Sequence, residues 1–441
     1  MKVCIIGSGD AGIAAAARIR RLDREAQIDA FSKRAEIGGP PCEMPLVLSG
    51  VIPSWDNHFS SIRNLPFYQK RNIDIHLNTE VTGILRQEKR IIAGGEKYGY
   101  DKAILAMGAI PSIPPILGLD GKNEFTLSTD IADGRALGKV ISKYNSAAIV
   151  GGGFIALEIA DALRARGYSK VYVVVRSEIL RRYLDKDMTT EIGKVIRQNG
   201  VELILPAKIE GIRSKGEKKR IILSDREIEV DFVFFATGTK PNVELARKAG
   251  LTLGETGAIA VNEYLQTSDQ NIYAVGDCME SWDLIMGFKR QHQLATSAIR
   301  TGYIAGRNLV LGNRLAYEGT DMPFVTKIFG YQIGAVGFTE REAREKGLDV
   351  VSVRVNTPWL REKFDGKPAQ YKLIADRKTK KLIGSQITSE EIVSGTIDKL
   401  AVAIAARMPL VKLLQIDSCY SPHVQEDQLA VPIQRLIDAL G

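Results

Sequence analysis

The sequence predicts an α/β protein in which two separate strand–turn–helix units precede a C-terminal α+β unit. Three observations carry this. A short apolar strand runs into a glycine turn and an alanine-rich helix over residues 2–22, the same grammar recurs at 147–166, and the last third alternates strands with turns before ending in helices. At roughly 150 residues per domain, 441 residues make two or three domains, each long enough to close its own core. Apolar residues at 45% and charged residues at 25% exclude a largely disordered or fibrous chain. The longest uncharged apolar runs, such as 12–17 and 171–175, fall far short of the roughly 20 residues that span a bilayer, and no export-signal pattern opens the chain. A cytoplasmic protein with no membrane partner is expected.

Lys and Arg outnumber Asp and Glu by 60 to 52, a net charge of +8. The basic residues fall in short clusters (18–24, 176–182, 215–220) and never in a long block, so the surplus suits an anionic small molecule, or plain solubility, better than nucleic acid. The four cysteines, Cys4, Cys42, Cys278 and Cys419, are too scattered for a disulfide framework and form no C-x-x-C pair. Thiol chemistry would rest on one cysteine, and no metal is expected.

The first strand, 2–6, enters Gly7-Ser8-Gly9-Asp10-Ala11-Gly12 and a helix through Leu22. Gly7 permits the tight turn, Gly9 lets the backbone approach a pyrophosphate, Gly12 brings helix and strand close, and the helix N-terminus orients N–H donors at the phosphates. These are the parts of a Rossmann-like dinucleotide site. The next strand, 27–32, should end in a carboxylate for the adenosine ribose, but Phe31-Ser32-Lys33 offers a hydroxyl. In the second unit, strand 147–150 leads into Gly151-Gly152-Gly153-Phe154-Ile155-Ala156 and a helix through Arg166. Its second strand, 171–175, ends in Val175 followed by Arg176, where an NAD site places Glu or Asp. Valine accepts no hydrogen bond from a ribose 2′-hydroxyl. Arg176, with Arg181 and Arg182, suits a 2′-phosphate, so NADPH is favoured over NADH, the plain alternative being a solvated arginine loop.

Two further strands end alike, in Ala106-Met107-Gly108-Ala109-Ile110-Pro111 and Ala236-Thr237-Gly238-Thr239-Lys240-Pro241. Small residues and a proline suit strands that pass beneath a bound nucleotide and leave for the next domain. A third signal, Ala274-Val275-Gly276-Asp277, delivers a glycine and a carboxylate from a strand end, a surface Asp being the alternative. From Thr320 the chain predicts strands at 325–328, 332–338, 350–355, 371–375 and 382–386, then helices from Ile392 and Leu429.

In this order the motifs resemble the flavin-dependent pyridine nucleotide-disulfide oxidoreductases, over essentially the whole chain. The resemblance implies that Gly7, Gly9 and Gly12 hold FAD, together with Ser32, Lys33, Ala106, Gly108, Gly276 and Asp277, the last on the ribityl chain. It implies that Gly151, Gly153, Ala156, Arg176 and Gly238 serve NADPH or NADH. It also implies a flavin domain split into 1–111 and 241–319 around an NAD(P) domain, 112–240, and a dimerisation domain, 320–441, hence a homodimer.

Cys42-Glu43-Met44-Pro45-Leu46-Val47-Leu48-Ser49-Gly50 is similar to the C-G-x-P-Y-x-x-S-G segment of the family's single-cysteine branch, which includes coenzyme A-disulfide reductases, NADH oxidases, NADH peroxidases and polysulfide reductases. The resemblance implies a Cys42 thiolate of lowered pKa that passes flavin electrons to a small disulfide, persulfide or polysulfide. Reduction of O₂ and service as an electron-transfer subunit are the alternatives. Asp10 stands where the oxidase and peroxidase branch often has a histidine. Gly38-Gly39-Pro40-Pro41 replaces the Ser and Asn usual before the cysteine in coenzyme A-disulfide reductases. Arg18, Arg21, Lys70 and Arg71 resemble positions that receive CoA phosphates, an exposed basic face being the alternative. Cys419-Tyr420-Ser421-Pro422-His423 resembles a C-Y-x-P-P stretch that crosses the dimer, which would make Tyr420 an acid or donor near Cys42 of the partner subunit. His423 is expected to be structural or superficial, and Phe364 replaces a second tyrosine of the CoA branch.

Overall fold

The computed structural model describes residues 1–38, 41–56, 64–358, 360–424 and 427–441. Gly39 and Pro40, of the segment before Cys42, lie outside the described residues. The first sheet has five parallel strands in the spatial order Ile272–Ala274, Lys102–Leu105, Lys2–Ile6, Gln27–Phe31, Ile73–His76. Parallel strands covered on both faces read as apolar runs, and Val3, Cys4 and Ile5 are at most 1% exposed. Helix Asp10–Leu22 covers one face and carries Ala11, Ala15 and Ala16 towards helix Ala295–Leu311. The two helices touch through small residues, since a Cβ on Gly302 would overlap the Ala11 carbonyl and one on Gly306 would crowd that of Ala15.

The second sheet is also five-stranded and parallel, in the order Val201–Ile204, Lys170–Val174, Ser146–Val150, Phe232–Phe235, Glu124–Thr126. Each parallel sheet is followed in sequence by one three-stranded antiparallel meander or contains it as an excursion: Val81–Leu85, Arg90–Ala93 and Glu96–Gly99 in the first unit, and Ile209–Lys215, Lys218–Leu223 and Glu227–Val230 in the second. The similar strand exits identified from sequence meet: Ala109–Pro111 pairs antiparallel with Thr239–Pro241. The chain therefore leaves and re-enters the first unit along one two-stranded link, and the edge strand Ile272–Ala274 completes the first sheet after the second has been built.

The third sheet is antiparallel, ordered Phe324–Ile328, Tyr331–Gly337, Lys381–Ser389, Pro368–Asp376, Val350–Pro358. Helices Ser394–Ala405 and Ala430–Leu440 close its core around Tyr371, Leu373, Ile397, Leu400 and Leu436. A charged cluster ties this unit to the second sheet: the nearly buried Lys372 ammonium lies 2.9 Å from Glu340, 3.0 Å from Asp187 and 3.3 Å from Asp185. Among the described residues no helix is long and apolar enough to cross a membrane.

Candidate functional site

A cleft of about 1620 Å³ opens between the two parallel sheets and is lined by both glycine turns. At the first turn Gly7 adopts φ +115°, and a Cβ there would overlap the Ala106 carbonyl oxygen. Gly12 is equally closed, facing the Gly7 carbonyl, whereas a Cβ on Gly9 would meet nothing within 4 Å because Gly9 looks into the cleft. Close packing behind and open space in front are what a pyrophosphate cradle requires. The second turn repeats this, with Gly151 closed against Ala236 and Gly153 open, while Ala156, in the place of Gly12, is fully buried. Each turn leads into a helix whose N-cap is the open glycine, so unpaired N–H groups face the cleft. The residues present therefore fit a dinucleotide at each turn.

The other expected cofactor positions also reach the cleft: Ser32, Lys33, Ala106, Gly108, Arg176, Gly238, Gly276 and Asp277 all line it. The Ser32 Oγ accepts the Arg34 backbone N–H at 3.2 Å, which uses one of its lone pairs. Gly276 turns the chain at φ +68°, and its N–H donates to the Thr301 hydroxyl at 3.1 Å, which sets Asp277 at the cleft wall. Burial pushes the Asp277 carboxyl up to about 7, with the Asp10 carboxylate adding to the rise. Such a carboxyl is suited to bonding sugar or polyol hydroxyls, which exclude water from it.

Cys42 lies in the short turn Pro41–Glu43 that opens helix Met44–Ser49. The helix is pinned beneath the second sheet: Met44 is fully buried, and Arg166 donates to the Leu48 carbonyl at 2.7 Å. On the other side, Arg34 donates to the Thr129 carbonyl at 2.7 Å and to the Thr129 hydroxyl at 2.6 Å. The thiol is consequently fixed at the cleft between the two glycine turns and exposed to it. The expected lowering of its pKa is not what the protein alone provides. Burial of the sulfur's surroundings raises it, the residue's own backbone N–H lowers it, and Asp10, Glu158 and Glu43 raise it further. The lowered pKa expected from the resemblance is thus corrected: burial and the charges of Asp10, Glu158 and Glu43 all favour the protonated thiol.

Glu158 was missed altogether. It follows the second turn on helix Phe154–Ala165, lines the cleft and accepts a hydrogen bond from the Thr326 hydroxyl. Burial raises its carboxyl to about 7 against the lowering effect of Thr326, and Asp161 adds to the rise. Its position on the inward face one turn beyond Phe154 was the available signal.

At the nucleotide end, the strand predicted to end at Val175 ends at Val174, but Val175 still bonds to the backbone on one side: its N–H donates to the Ile204 carbonyl and its carbonyl accepts from the Ala207 N–H. Arg176, Ser177, Lys208 and Ser224 share the wall of the cleft there.

Arg18, Arg21, Lys70 and Arg71 do not line this cleft. The Arg18 guanidinium lies 4.4 Å from the Tyr303 ring centre, and Arg71 lies 3.6 Å from that of Phe67. Arg20 ties the two groups together by donating to the Asn72 carbonyl at 2.6 Å. Tyr420 is 57% exposed, accepts a hydrogen bond from Arg361 at 3.3 Å and stands outside the cleft of its own chain. His423 packs near Phe364, ring centres 6.3 Å apart. Among the described residues no group of His, Cys, Asp and Glu could hold a metal ion.

Residues 1–302 match the family described as pyridine nucleotide-disulphide oxidoreductase, and residues 324–429 match its dimerisation domain. A relative named NADH oxidase, from Methanocaldococcus jannaschii, is 36% identical over 434 residues, covering 96% of this chain and 95% of the relative. A CoA-dependent NAD(P)H sulfur oxidoreductase from Pyrococcus abyssi is 35% identical over 431 residues, covering 95% of this chain and 94% of the relative. Among solved structures, an NAD-dependent persulfide reductase from A. fulgidus superposes with a TM-score of 0.95 at 31% identity, covering 99% of this chain and 83% of that one.

Proposed function

Because the chain belongs to the pyridine nucleotide-disulphide oxidoreductase family, we propose that it is an FAD-dependent NAD(P)H oxidoreductase that uses Cys42 to reduce a small disulfide, persulfide or polysulfide, with CoA-type thiols as the carrier. The observation that supports it most is the placing of one exposed thiol at a cleft shared by two dinucleotide cradles. Gly7, Gly9, Gly12 and Asp277 would hold FAD, and Gly151, Gly153, Ala156 and Arg176 the nicotinamide nucleotide. The nucleotide supplies a hydride and the flavin carries its two electrons to sulfur.

The chain's own part begins with the Cys42 thiolate attacking one sulfur of the acceptor. A mixed disulfide forms on Cys42, and the other sulfur leaves as a thiolate that takes a proton. Two electrons then cleave the mixed disulfide, releasing the second thiol after protonation and returning the Cys42 thiolate. Glu158, poised near neutrality, is the proton donor we assign to these leaving sulfurs. Arg18, Arg21, Lys70 and Arg71 form the basic face we assign to the carrier's phosphates, and Tyr420 approaches the cysteine of the second chain in a homodimer.

The same reading divides the chain at 1–111, 112–240, 241–319 and 320–441, and a working thiolate fits a reducing, cytoplasmic compartment. Reduction of O₂ is the second reading, favoured by the relative named NADH oxidase. An acceptor panel of O₂, peroxide, CoA disulfide and polysulfide, run anaerobically where needed, tests both. Turnover with O₂ alone, and none with any sulfur acceptor, rejects the first reading.

A further inference from the structure

A second cavity, of about 520 Å³, opens beside the nucleotide cleft where three parts of the chain meet. Its walls come from the turn after strand Lys170–Val174, from the hairpin Ser281–Trp282 with Lys289–Arg290, and from strand Tyr331–Gly337 with helix Glu340–Glu345. Six cations line it, Arg181, Arg182, Lys289, Arg290, Arg341 and Lys346, against the carboxylates of Glu342 and Glu345. Crowding like charges costs free energy unless something answers them.

The way these side chains are anchored leaves much of their charge unanswered. Arg182 donates to the Gln291 carbonyl and Arg341 to the Arg181 carbonyl, both neutral acceptors. The Lys346 ammonium sits 4.4 Å from the Phe288 ring centre, that of Lys289 4.8 Å from Trp282, and the Arg290 guanidinium 5.3 Å from Phe338. Carbonyls and ring faces hold the cations in place without cancelling them. Carboxylates answer three of the six: Glu342 pairs with Arg290, Glu178 lies 3.0 Å from Arg341, and Glu280 lies 3.7 Å from Lys289. Among the described residues Arg181, Arg182 and Lys346 pair with no carboxylate; the two arginines stand together on the wall after strand Lys170–Val174, and Lys346 stands on the wall of helix Glu340–Glu345.

We propose that this cavity binds a small molecule carrying two adjacent phosphoryl groups, of the class of inorganic pyrophosphate and nucleoside diphosphates, at a site separate from both glycine turns. A diphosphate presents acceptors in several directions, which suits cations offered from more than one wall. Met322, Phe324 and Val336 provide an apolar surface for an organic remainder. The occupant would touch three parts of the chain and would abut Arg181, Arg182, Tyr183 and Phe324, which also line the nucleotide cleft. The phosphates of the nicotinamide nucleotide are the competing source of the same chemistry.

Calorimetric titration of the FAD-loaded protein with metal-free pyrophosphate at low salt separates the two. The site predicts one pyrophosphate per chain, bound equally in the presence of saturating NADH. Affinity should be unchanged by Arg176→Ala and weakened about tenfold by Lys346→Gln and by Lys289→Gln, the loss expected for one charge-assisted contact. Both lysines are exposed, so the variants should keep their flavin content, and either one suffices if the other does not fold. No saturable binding at millimolar pyrophosphate, binding abolished by NADH, or binding indifferent to both lysine substitutions overturns the proposal.

Discussion

Gly12 faces the carbonyl oxygen of Gly7 so closely that no side chain fits between them, while Gly9, two residues from Gly7, meets nothing within 4 Å. The two glycines serve different ends, one packing and one ligand approach. Gly12→Ala should force helix Asp10–Leu22 off the sheet, with a loss of about 1–3 kcal/mol or more for overpacking a closed site. Gly9→Ala should melt like wild type when stripped of flavin, yet lose FAD on gel filtration, because its methyl stands where the pyrophosphate belongs. Melting curves with flavin content measured alongside distinguish the outcomes. Equal behaviour of the two variants would remove the cradle assignment.

Nucleotide choice should rest on Arg176 with Lys208. Neither position offers a carboxylate to a ribose diol, and Lys208 follows the Ala207 that bonds to Val175 and lines the same cleft as Arg176. Arg176→Ala should lower kcat/KM for NADPH by tenfold or more, about 1.5–3 kcal/mol for a charged hydrogen bond, and change that for NADH much less. Lys208→Ala should act in the same direction but less strongly. A parallel loss with both nucleotides would show that Arg176 does not read the 2′ position.

The parallel sheets, the glycine turns and the two strand exits were legible because each rests on local grammar, an apolar run, a glycine that must be glycine, and a helix start, but the pairing of the exits was not. The third sheet was legible as strands, though Val350–Pro358 and Pro368–Asp376 run further than alternation suggested because they pair with each other along nine positions. What escaped was charge brought together by tertiary folding. Glu43 is Cys42's neighbour in sequence, but Asp10 and Glu158 bring their charge to it from two other helices, and nothing in the spacing of 10, 42 and 158 announces it. The Lys372 cluster is hidden for the same reason.

That cluster should behave as a structural clamp. Lys372→Met would leave Asp185, Asp187 and Glu340 facing one another without their shared cation, and breaking a buried pair from one side costs about 3–5 kcal/mol. Denaturant unfolding should show this loss, whereas Lys367→Met, at an exposed pair with Asp365, should leave stability nearly unchanged. Comparable effects of the two would mean that the Lys372 carboxylates find other partners.

Asp277 and Glu158 give the flavin-free protein a pH dependence of definite sign. Both carboxyls titrate near 7 when folded, above their ordinary range, so the folded state binds protons more tightly than the unfolded one. Their contribution is fully present below the unfolded pKa and is lost as pH rises through about 7. The melting temperature of the apoprotein should therefore fall between about pH 5 and about pH 8, and Asp277→Asn should flatten the fall. A melting temperature that rises over this range contradicts the burial of both groups.

Cys42 carries every sulfur-based version of the function, while a plain oxidase does not need it. Cys42→Ser should keep FAD and still accept hydride from NAD(P)H, since neither glycine turn is touched, but lose disulfide turnover. Serine is nearly the same size, yet its hydroxyl stays protonated near pH 7 and forms no mixed disulfide. The carboxylates around the thiol add a second expectation. Because Asp10 is among the groups that hold the Cys42 thiol in its protonated form, Asp10→Asn should speed its alkylation by iodoacetamide at neutral pH in the flavin-free protein. Cys4, buried with its thiol pushed up to about 12, should stay unreactive in both proteins and serve as the internal control. Full disulfide turnover in Cys42→Ser would sink the relay. Unchanged alkylation in Asp10→Asn would mean that burial alone sets the thiol, and that carboxylate charge does not reach it.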